Sequence, residues 1–332
     1  MSNAGAQPKP EQAETLQRAE DAVRDCRDWM LGEQKEDGHW AFELEADATI
    51  PAEYIMLNHY LGEPNPDVER KLAVYLRRIQ AEEHGGWPLY HDGDFNISAS
   101  VKAYYALKLA GDDPDALHMR RARDAILAHG GAAKANVFTR IALALFGQVP
   151  WRAVPVMRVE AMLMPRWAPF HIDKVSYWSR TVMVPLLILA VLKPKARNPL
   201  QINVDELFLR PANDEDDYMV NPTGHWLGSV FMGIDRLTRI IEPFIPDALE
   251  KHAIKRALDF IGPRLNGHDG LGAIFPAMAY TVMAFDALGY GHDHKDYVTA
   301  RESIDELLVF KDDEGYCQPC LSPIWDTALG GH

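Results

Sequence analysis

Apolar residues recur at spacings of three and four through most of the chain, whereas the alternation typical of strands is scarce. Several apolar stretches end in a glycine, a residue that suits the left-handed conformation at a helix C-terminus. These stretches are LNHYLG (57–62), ALKLAG (106–111), ALALFG (142–147) and AFDALG (284–289). Amphipathic segments such as PDVERKLAVYLRRIQ (66–80) and ALEKHAIKRALDFI (248–261) lie between them. Fully apolar helices that alternate with amphipathic ones indicate an inner and an outer ring. The pattern therefore predicts an all-α fold, an α/α barrel or toroid.

The links from an outer to an inner helix also repeat. QKEDGHW (34–40) reads Gln, three residues, Gly, one residue, Trp, and QAEEHGGW (80–87) repeats this with one extra residue. HDGLGAI (268–274) and KDDEGYC (311–317) keep an acidic turn and Gly without the Trp. A Gln amide can bond the backbone of a turn, Gly permits a tight turn, and Trp can stack over the link. The repeat therefore predicts one structural solution used several times.

Composition narrows the class of partner. The 332 residues are 47% hydrophobic and 25% charged, which suits one large or two modest globular domains. The net charge of −14 argues against nucleic acid, whose phosphates such a surface repels. Three cysteines, Cys26, Cys317 and Cys320, are too few for a disulfide scaffold and suit a reducing compartment.

Neither the N-terminus nor the longest apolar run reads as a membrane-spanning segment. Residues 1–11 are polar and lack the apolar core of a signal peptide, so they are interpreted as a disordered tail or a cloning remnant. The run VMVPLLILAVL (182–192) is too short to cross a bilayer and contains Pro185. It predicts a buried helix in a soluble or peripheral protein.

Acidic clusters are the first candidates for chemistry. PANDEDDYMV (211–220) contains Asp214, Asp216 and Asp217 in the pattern Asp-x-Asp-Asp. Four prolines between residues 194 and 222 interrupt any long helix around it, so these carboxylates are expected to be ionised in a hydrated surface loop. DDPD (112–115) is interpreted in the same way.

Two further motifs have simple interpretations. CQPC (317–320) lacks the additional ligands of a zinc site and the βαβ setting of a redox site, which predicts ordinary buried thiols. GHDHKD (291–296) contains His292 and His294, which are interpreted as hydrated loop residues. The sequence predicts neither a metal site nor a cofactor motif.

The repeated Gln–Gly–Trp link is similar to the QW repeat of the squalene–hopene cyclase and oxidosqualene cyclase family. Three strings strengthen the resemblance and occur in the family's order: NVFTRIALALFGQVPW (136–151), GAIFPAMAYTVMAFDALGYG (272–291) and CLSPIWDTALGGH (320–332). They resemble the bacterial squalene cyclase branch, and the similarity runs from about residue 12 to the end.

The C-terminus opens an element that it does not complete. SPIWDTALGGH (322–332) begins like another inner helix and stops after eleven residues. The resemblance implies a protein roughly double this length with two helical barrels. Residues 12–310 are therefore predicted to form the N-terminal barrel, and residues 311–332 the start of a second, truncated helical domain.

The resemblance implies an enzyme, an isomerase that protonates squalene without a cofactor and guides a carbocation cascade to hopene or hopanol. Its Asp-x-Asp-Asp acid is expected beyond residue 332, so the fragment alone is expected to be inactive. This half would supply cavity wall and a membrane-facing entrance, with Trp178, Ile274, Phe275, Pro276, Tyr280 and Trp325 lining the cavity and Glu53 and Phe138 near it. Aromatic faces can stabilise a cation by about 0.5–2 kcal/mol each. Two positions depart from the family pattern: Phe275, where members can carry Gln, and Lys102, where they can carry Glu.

One stretch has the pattern of a membrane-contacting helix. HWLGSVFMGIDRLTRIIEPFIP (225–246) places apolar residues at helical spacing and charged residues on other faces. The expected contact residues are Trp226, Leu227, Val230, Phe231 and Ile234. The bare pattern also fits packing inside a barrel. The resemblance, however, implies a peripheral, monotopic protein on the cytoplasmic face of the bacterial inner membrane, with squalene and the membrane surface as partners, and leaves room for a homodimer.

Two alternatives remain open at this point. A non-catalytic α/α toroid could bind a partner or lipid on its concave face. A sister cyclase could act on a different terpene.

Overall fold

The computed structural model describes residues 10–168, 171–216, 218, 224, 226–267 and 270–331. The helices are α1 Pro10–Glu33, α2 Thr49–Leu61, α3 Pro66–Arg78, α4 Ile97–Leu109, α5 Leu117–Ala128, α6 Val137–Leu145, α7 Tyr177–Leu192, α8 Trp226–Ile241, α9 Asp247–Ile261, α10 Phe275–Ala287, α11 Lys295–Asp305 and α12 Pro323–Gly330. The 3₁₀ helices are Ala132–Lys134, Trp151–Ala153, Val159–Leu163, Ile172–Lys174, Asp205–Leu207, Ala212–Asp214, Glu242–Phe244 and Gly262–Arg264. The strands are β1 Leu265–Asn266, β2 Gly270–Leu271, β3 Leu308–Lys311 and β4 Glu314–Cys317. The prediction of an all-α fold is confirmed, because the strands form only two short hairpins.

The chain divides into two compact units. One comprises the described parts of Met1–Glu43 and Leu321–His332, and the other is Leu44–Cys320. In the smaller unit, the backbone N–H of Trp40 donates a hydrogen bond of 2.9 Å to the hydroxyl of Thr327 on α12. This division does not follow the predicted domain boundaries, which stay a prediction.

The larger unit has inner and outer helices, as the apolar pattern predicts. Eleven of the 13 residues are buried in both α2 and α4, whereas α5 buries three of 12 and α11 four of 11. Among the inner helices, α2 packs against α4 and α10, α10 against α7, and α4 against α6. Among the outer helices, α3 packs on α2, α5 on α4, α9 on α7 and α11 on α10. Pairing each outer helix with an inner one is the arrangement of an α/α barrel.

The predicted helix ends and the buried helix are also confirmed. Gly62 ends α2 with a φ of 73°, and the glycines that end the other three stretches have positive φ as well: Gly111 100°, Gly147 70° and Gly289 80°. A side chain with a Cβ would be strained in this conformation. The run 182–192 lies in α7, where Pro185 is buried inside the helix.

The first complete Gln–Gly–Trp link ties the end of α1 to the chain that follows it. Gln34 donates from Nε2 to the carbonyl oxygen of Gly38 at 2.7 Å. Trp40 donates from its indole nitrogen to the carbonyl oxygen of Met30, also at 2.7 Å. The carbonyls of the last helical turn have no partner within their helix, so the indole supplies a donor that the helix end lacks.

The second link repeats this geometry at the end of α3. Gln80 donates to the carbonyl oxygen of Gly85, and Trp87 donates from its indole nitrogen to that of Leu76 at 2.8 Å. In both copies the indole donates to the carbonyl oxygen of the residue four positions before the Gln, which is Met30 before Gln34 and Leu76 before Gln80. The predicted role of Gln is confirmed, and that of Trp is refined: it closes the last turn through a hydrogen bond.

In their described residues, the two incomplete links contribute strands to β-hairpins, which the sequence pattern did not predict: β2 lies in the first link and β4 in the second. In the second hairpin, β3 and β4 are joined through Asp312, whose φ is 53°. Strands of two and four residues are too short to show a clear alternation of apolar and polar positions.

Candidate functional site

Three inner helices of the larger unit enclose a small apolar cavity. The wall residues come from α2, α6 and α10 and are Glu53, Met56, Leu57, Tyr60, Ala142, Leu145, Phe146, Ala279, Tyr280 and Met283. The cavity has a volume of about 30 Å³. That volume suits a single water molecule and is far below the roughly 300 Å³ or more of a site for a drug-sized ligand. The structure thus brings together Glu53 and Tyr280, two of the residues predicted near a substrate cavity.

Glu53 on α2 forms a buried ion pair with Lys102 on α4. The Lys102 ammonium donates a hydrogen bond to Glu53 Oε1, and the two side chains are 7% and 14% exposed. Glu53 lines the cavity and Lys102 does not. The predicted departure at Lys102 therefore replaces an acid by a cation that offsets the charge of Glu53.

Tyr280 projects from α10 and is a neutral phenol. Burial, and after it the negative charge of Glu53, raises the pKa of Tyr280 well above its usual value. A buried phenol that keeps its proton remains a hydrogen-bond donor and an electron-rich ring.

The other predicted residues at the start of α10 do not line this cavity. Phe275 is fully buried, and its backbone N–H donates to the carbonyl oxygen of Pro319 at 2.9 Å. Ile274 forms a β-bridge with Cys320, and Pro276 occupies the first turn of α10. The same backbone contacts fix the start of the helix that carries Tyr280.

Three predicted aromatic residues are exposed in the described chain. Phe138 on α6 is 48% exposed and Trp178 on α7 is 56% exposed. Trp325 lies in the smaller unit, on α12, with 70% of its surface exposed. Their assignment as substrate-contacting residues stays a prediction.

The acidic stretch 211–220 is a surface loop where it is described. Asp214 and Asp216 are exposed, as predicted, and Asp217 lies outside the described residues. Tyr218 is buried, and its hydroxyl donates to the carbonyl oxygen of Ala212 at 2.8 Å. Arg140 donates to the carbonyl oxygen of Tyr218, which anchors the loop to α6.

The interpretation of Asp112 as a hydrated loop residue is wrong. Its side chain is nearly buried, and it accepts hydrogen bonds from both Arg77 Nε at 2.9 Å and Nη2 at 2.6 Å. The Nε2 atom of His118 lies 2.6 Å from the same carboxylate. Burial by itself raises the pKa of Asp112, but the hydrogen bonds from Arg77 and His118 outweigh it and hold that pKa below its usual value. Asp112 therefore joins the end of α3 to the α4–α5 link.

Of the two cysteines predicted to be buried thiols, Cys317 is buried and Cys320 is only partly buried, whereas His292 and His294 are exposed as predicted. Cys317 is buried, which raises the pKa of its thiol well above the usual value, and the three cysteines form no disulfide. His292 lies 3.0 Å from Glu63 and stacks on Tyr297, whereas His294 caps α11. In the part of the chain that the structure describes, His, Cys, Asp and Glu side chains form no group of three that could hold a metal ion.

A second cleft contains none of the predicted site residues. It has a volume of about 860 Å³ and lies beyond the C-terminal ends of α6 and α7. Its lining includes Lys193, Lys195, Asp205 and Arg210 among apolar residues.

Helix α8 exposes one apolar side. Trp226 is 66% exposed and Phe231 53%, and Val230 and Ile234 on the same side are also exposed. The side chain of Leu227 lies outside the described residues. Among the described helices, none is both long and apolar enough to cross a bilayer.

The polar side of α8 is bound to the rest of the larger unit. Asp235 accepts a hydrogen bond of 2.6 Å from the backbone N–H of Val156, and Arg239 donates one of 2.7 Å to the carbonyl oxygen of Val154. Just after α8, Glu242 accepts a hydrogen bond from Arg158 at 3.3 Å. These bonds orient the helix so that its apolar side faces outward.

Comparison with known proteins shows the family to which the chain belongs. A sequence model of the Squalene-hopene cyclase N-terminal domain matches residues 23–313. The chain belongs to the squalene-hopene cyclase family. It is 54% identical to the squalene–hopene cyclase of Bradyrhizobium diazoefficiens over 94% of this chain and 48% of that protein. It is 54% identical to the squalene–hopene cyclase of Zymomonas mobilis over 91% of this chain and 46% of that protein. A dammaradiene synthase of Dryopteris crassirhizoma is 29% identical over 93% of this chain and 45% of the relative. The chain therefore spans about half the length of these curated relatives.

In this member of the cyclase family, two further features of the larger unit were not predicted from the sequence. One is the pairing of Glu53 with Lys102, although a lone Lys in an apolar inner helix signals a buried partner. The other is a polar cluster between α2 and α11, where Arg301 donates to Asn58 Oδ1 at 2.8 Å and Tyr54 donates to Asp305 at 2.7 Å. Its members are more than 240 positions apart in sequence, and no local pattern connects them.

Proposed function

We propose that this chain forms the N-terminal half of a squalene–hopene cyclase, an isomerase that converts squalene to hopene or hopanol. The observation that carries the proposal is the high identity to squalene–hopene cyclases along nearly the whole chain. In this proposal residues 12–310 are the N-terminal barrel, and residues 311–332 begin the second domain.

The chemistry requires an acid that the described residues of the Asp-x-Asp-Asp stretch at 214–217 do not provide. An alkene is a very weak base, so its protonation needs a carboxyl group kept neutral in a dry pocket. Asp214 and Asp216 are exposed to water and do not meet that requirement. We therefore place the initiating Asp-x-Asp-Asp acid beyond residue 332.

The proposed role of this half is to form one wall of the substrate cavity. Buried aromatic rings such as those of Tyr280 and Phe275 can stabilise a passing cation by about 0.5–2 kcal/mol each. Glu53 and the apolar residues around it belong to that wall. In this proposal Ile274, Pro276, Trp178 and Phe138 of the larger unit also contact the substrate. Trp325, in the smaller unit, is a further proposed substrate contact.

We also propose that α8 contacts the membrane and admits squalene from it. The outward apolar side of α8 and the hydrogen bonds that hold its polar side support this role. The enzyme would then lie as a monotopic protein on the cytoplasmic face of the bacterial inner membrane. The homodimer stays a prediction.

A cyclase for a different terpene is the second candidate, supported by the likeness to a dammaradiene synthase. A product assay separates the two candidates. The complete cyclase, this chain together with the C-terminal half that its relatives have, is incubated with squalene and the products are identified by gas chromatography and mass spectrometry. Hopene or hopanol is the expected result. A different cyclised triterpene would support the second candidate, and no cyclised product would favour a non-catalytic toroid.

A further inference from the structure

Lys102 forms a largely buried ion pair with Glu53 beside the cavity. Lys102 is the only charged residue among the eleven buried residues of α4, a helix that is described in full. Its ammonium group donates a hydrogen bond to Glu53, which belongs to the cavity wall, whereas Lys102 does not. Of the two partners, Glu53 is therefore the one that borders the cavity.

The Glu53 carboxyl group needs a partner at this position, because a largely buried polar group without a hydrogen bond costs free energy. The Lys102 ammonium, ordered by the packing of α2 against α4, supplies that partner. Lys102 thereby determines where the carboxyl group of Glu53 lies at the wall.

We propose that Lys102 is a positioning residue of the cyclisation, which holds Glu53 in a fixed place at the cavity wall so that its carboxylate stabilises positive charge on the reacting hydrocarbon. This inference rests on the proposed function. A negative group that is oriented before the reaction stabilises a developing cation without reorganisation during it. Tyr280, on the α10 side of the same cavity, contributes a neutral ring and hydroxyl. Charge and aromatic face thus border one small space.

If Lys102 only stabilised the fold, its removal would lower stability without changing the products. A second Lys–Glu pair on the same helix provides the control. Lys108 on α4 forms a second Lys–Glu pair, in which its Nζ lies 2.5 Å from Glu206 Oε1. Both side chains of this pair are partly buried. Neither of these residues lines the cavity. Removal of either lysine costs stability, but only removal of Lys102 leaves the Glu53 carboxyl group at the wall without its partner.

The test compares Lys102→Met, Glu53→Gln, the double variant and Lys108→Met in the complete cyclase. The readouts are the melting temperature, kcat and KM with squalene, and the product distribution. We expect Lys102→Met to lower kcat by about tenfold to a hundredfold, with little change in KM, and to raise the share of incompletely cyclised products. Lys108→Met should leave kcat within about twofold of the parent and the products unchanged, since its charge does not reach the wall.

The double variant tests whether Lys102 acts through Glu53. In the Glu53→Gln background, Lys102→Met should have almost no further effect, because the group that it positions is gone. The double variant also removes both charges together, so it is expected to fold even if a single variant leaves an uncompensated charge and does not. Additive losses, or parent products from the double variant, would overturn the role of Lys102. A parent that yields no cyclised product from squalene would instead overturn the proposed function, and this inference with it.

Discussion

The indole nitrogen of Trp87 donates a hydrogen bond to the carbonyl oxygen of Leu76, at 2.8 Å, and so closes the last turn of α3. Trp87 is completely buried. A carbonyl at a helix end that loses such a donor inside the protein stays without a partner. The link repeat is thus a stabilising device as well as a sequence signature.

We expect Trp87→Phe to lower the free energy of unfolding by about 1–3 kcal/mol, because it removes the donor to Leu76 and part of the buried ring. Urea unfolding followed by circular dichroism measures the change. Trp167→Phe is the control, since Trp167 is strongly exposed. Equal stability of the two variants would mean that the hydrogen bond contributes nothing to the fold.

Binding to vesicles tests the role of α8. The protein should co-sediment with phosphatidylcholine vesicles even at high salt, because salt does not screen the burial of apolar surface. Trp226→Glu combined with Phe231→Glu should reduce the bound fraction by about tenfold or more, since it places two charges on the inserting side.

The matched control for this double variant is Leu117→Glu combined with Leu200→Glu. Both leucines are exposed and lie outside α8. These changes should leave co-sedimentation as in the parent. Equal binding by the α8 variant and the parent would argue that the apolar side of α8 contacts protein instead.

The cyclisation products of variants test the proposed role of the exposed aromatic residues. In the complete cyclase, Trp178→Ala or Trp325→Ala should release truncated or misfolded cyclisation products, because the cation loses a wall and a π face. Gas chromatography of the extract measures the product distribution, with Trp167→Ala as the control. Parent products at the parent rate from both variants would remove these residues from the proposed cavity.

The lowered pKa of Asp112 predicts that the contribution of this residue to the stability of the fold depends on pH. Its pKa in the folded protein lies below that of the unfolded chain, so the ionised carboxyl stabilises the fold above the unfolded value and stops doing so as pH falls through the folded one. Asp112→Asn should therefore cost about 1–3 kcal/mol at neutral pH, and progressively less below a pH of about 4.

The comparison for Asp112→Asn is Asp115→Asn in the same link, where the Asp115 side chain is largely exposed. Urea unfolding at a series of pH values gives both differences from the parent. A penalty for Asp112→Asn that stays constant down to acidic pH would show that charge is not its cause.

Local sequence determined the helices and the way they end. The local sequence specifies three features: the three- and four-residue spacing of apolar positions, the glycines at the helix ends and the Gln–Gly–Trp links. Each depends only on residues within one or two helical turns. The separation into inner and outer helices follows from composition as well, because a helix without a polar face such as α4 has to be covered on all sides. Resemblance to the cyclase family added the candidate residues.

Tertiary structure decided which polar residues meet and which apolar ones stay outside. Lys102 and Glu53 are 49 positions apart, and only the packing of α2 against α4 makes them an ion pair. The apolar side of α8 fitted both a barrel interior and a membrane surface. Its outward orientation follows from contacts such as the hydrogen bond that the backbone N–H of Val156 donates to Asp235, 79 positions away. A contact across such distances depends on where the rest of the chain has folded, and no local pattern of residues contains that information.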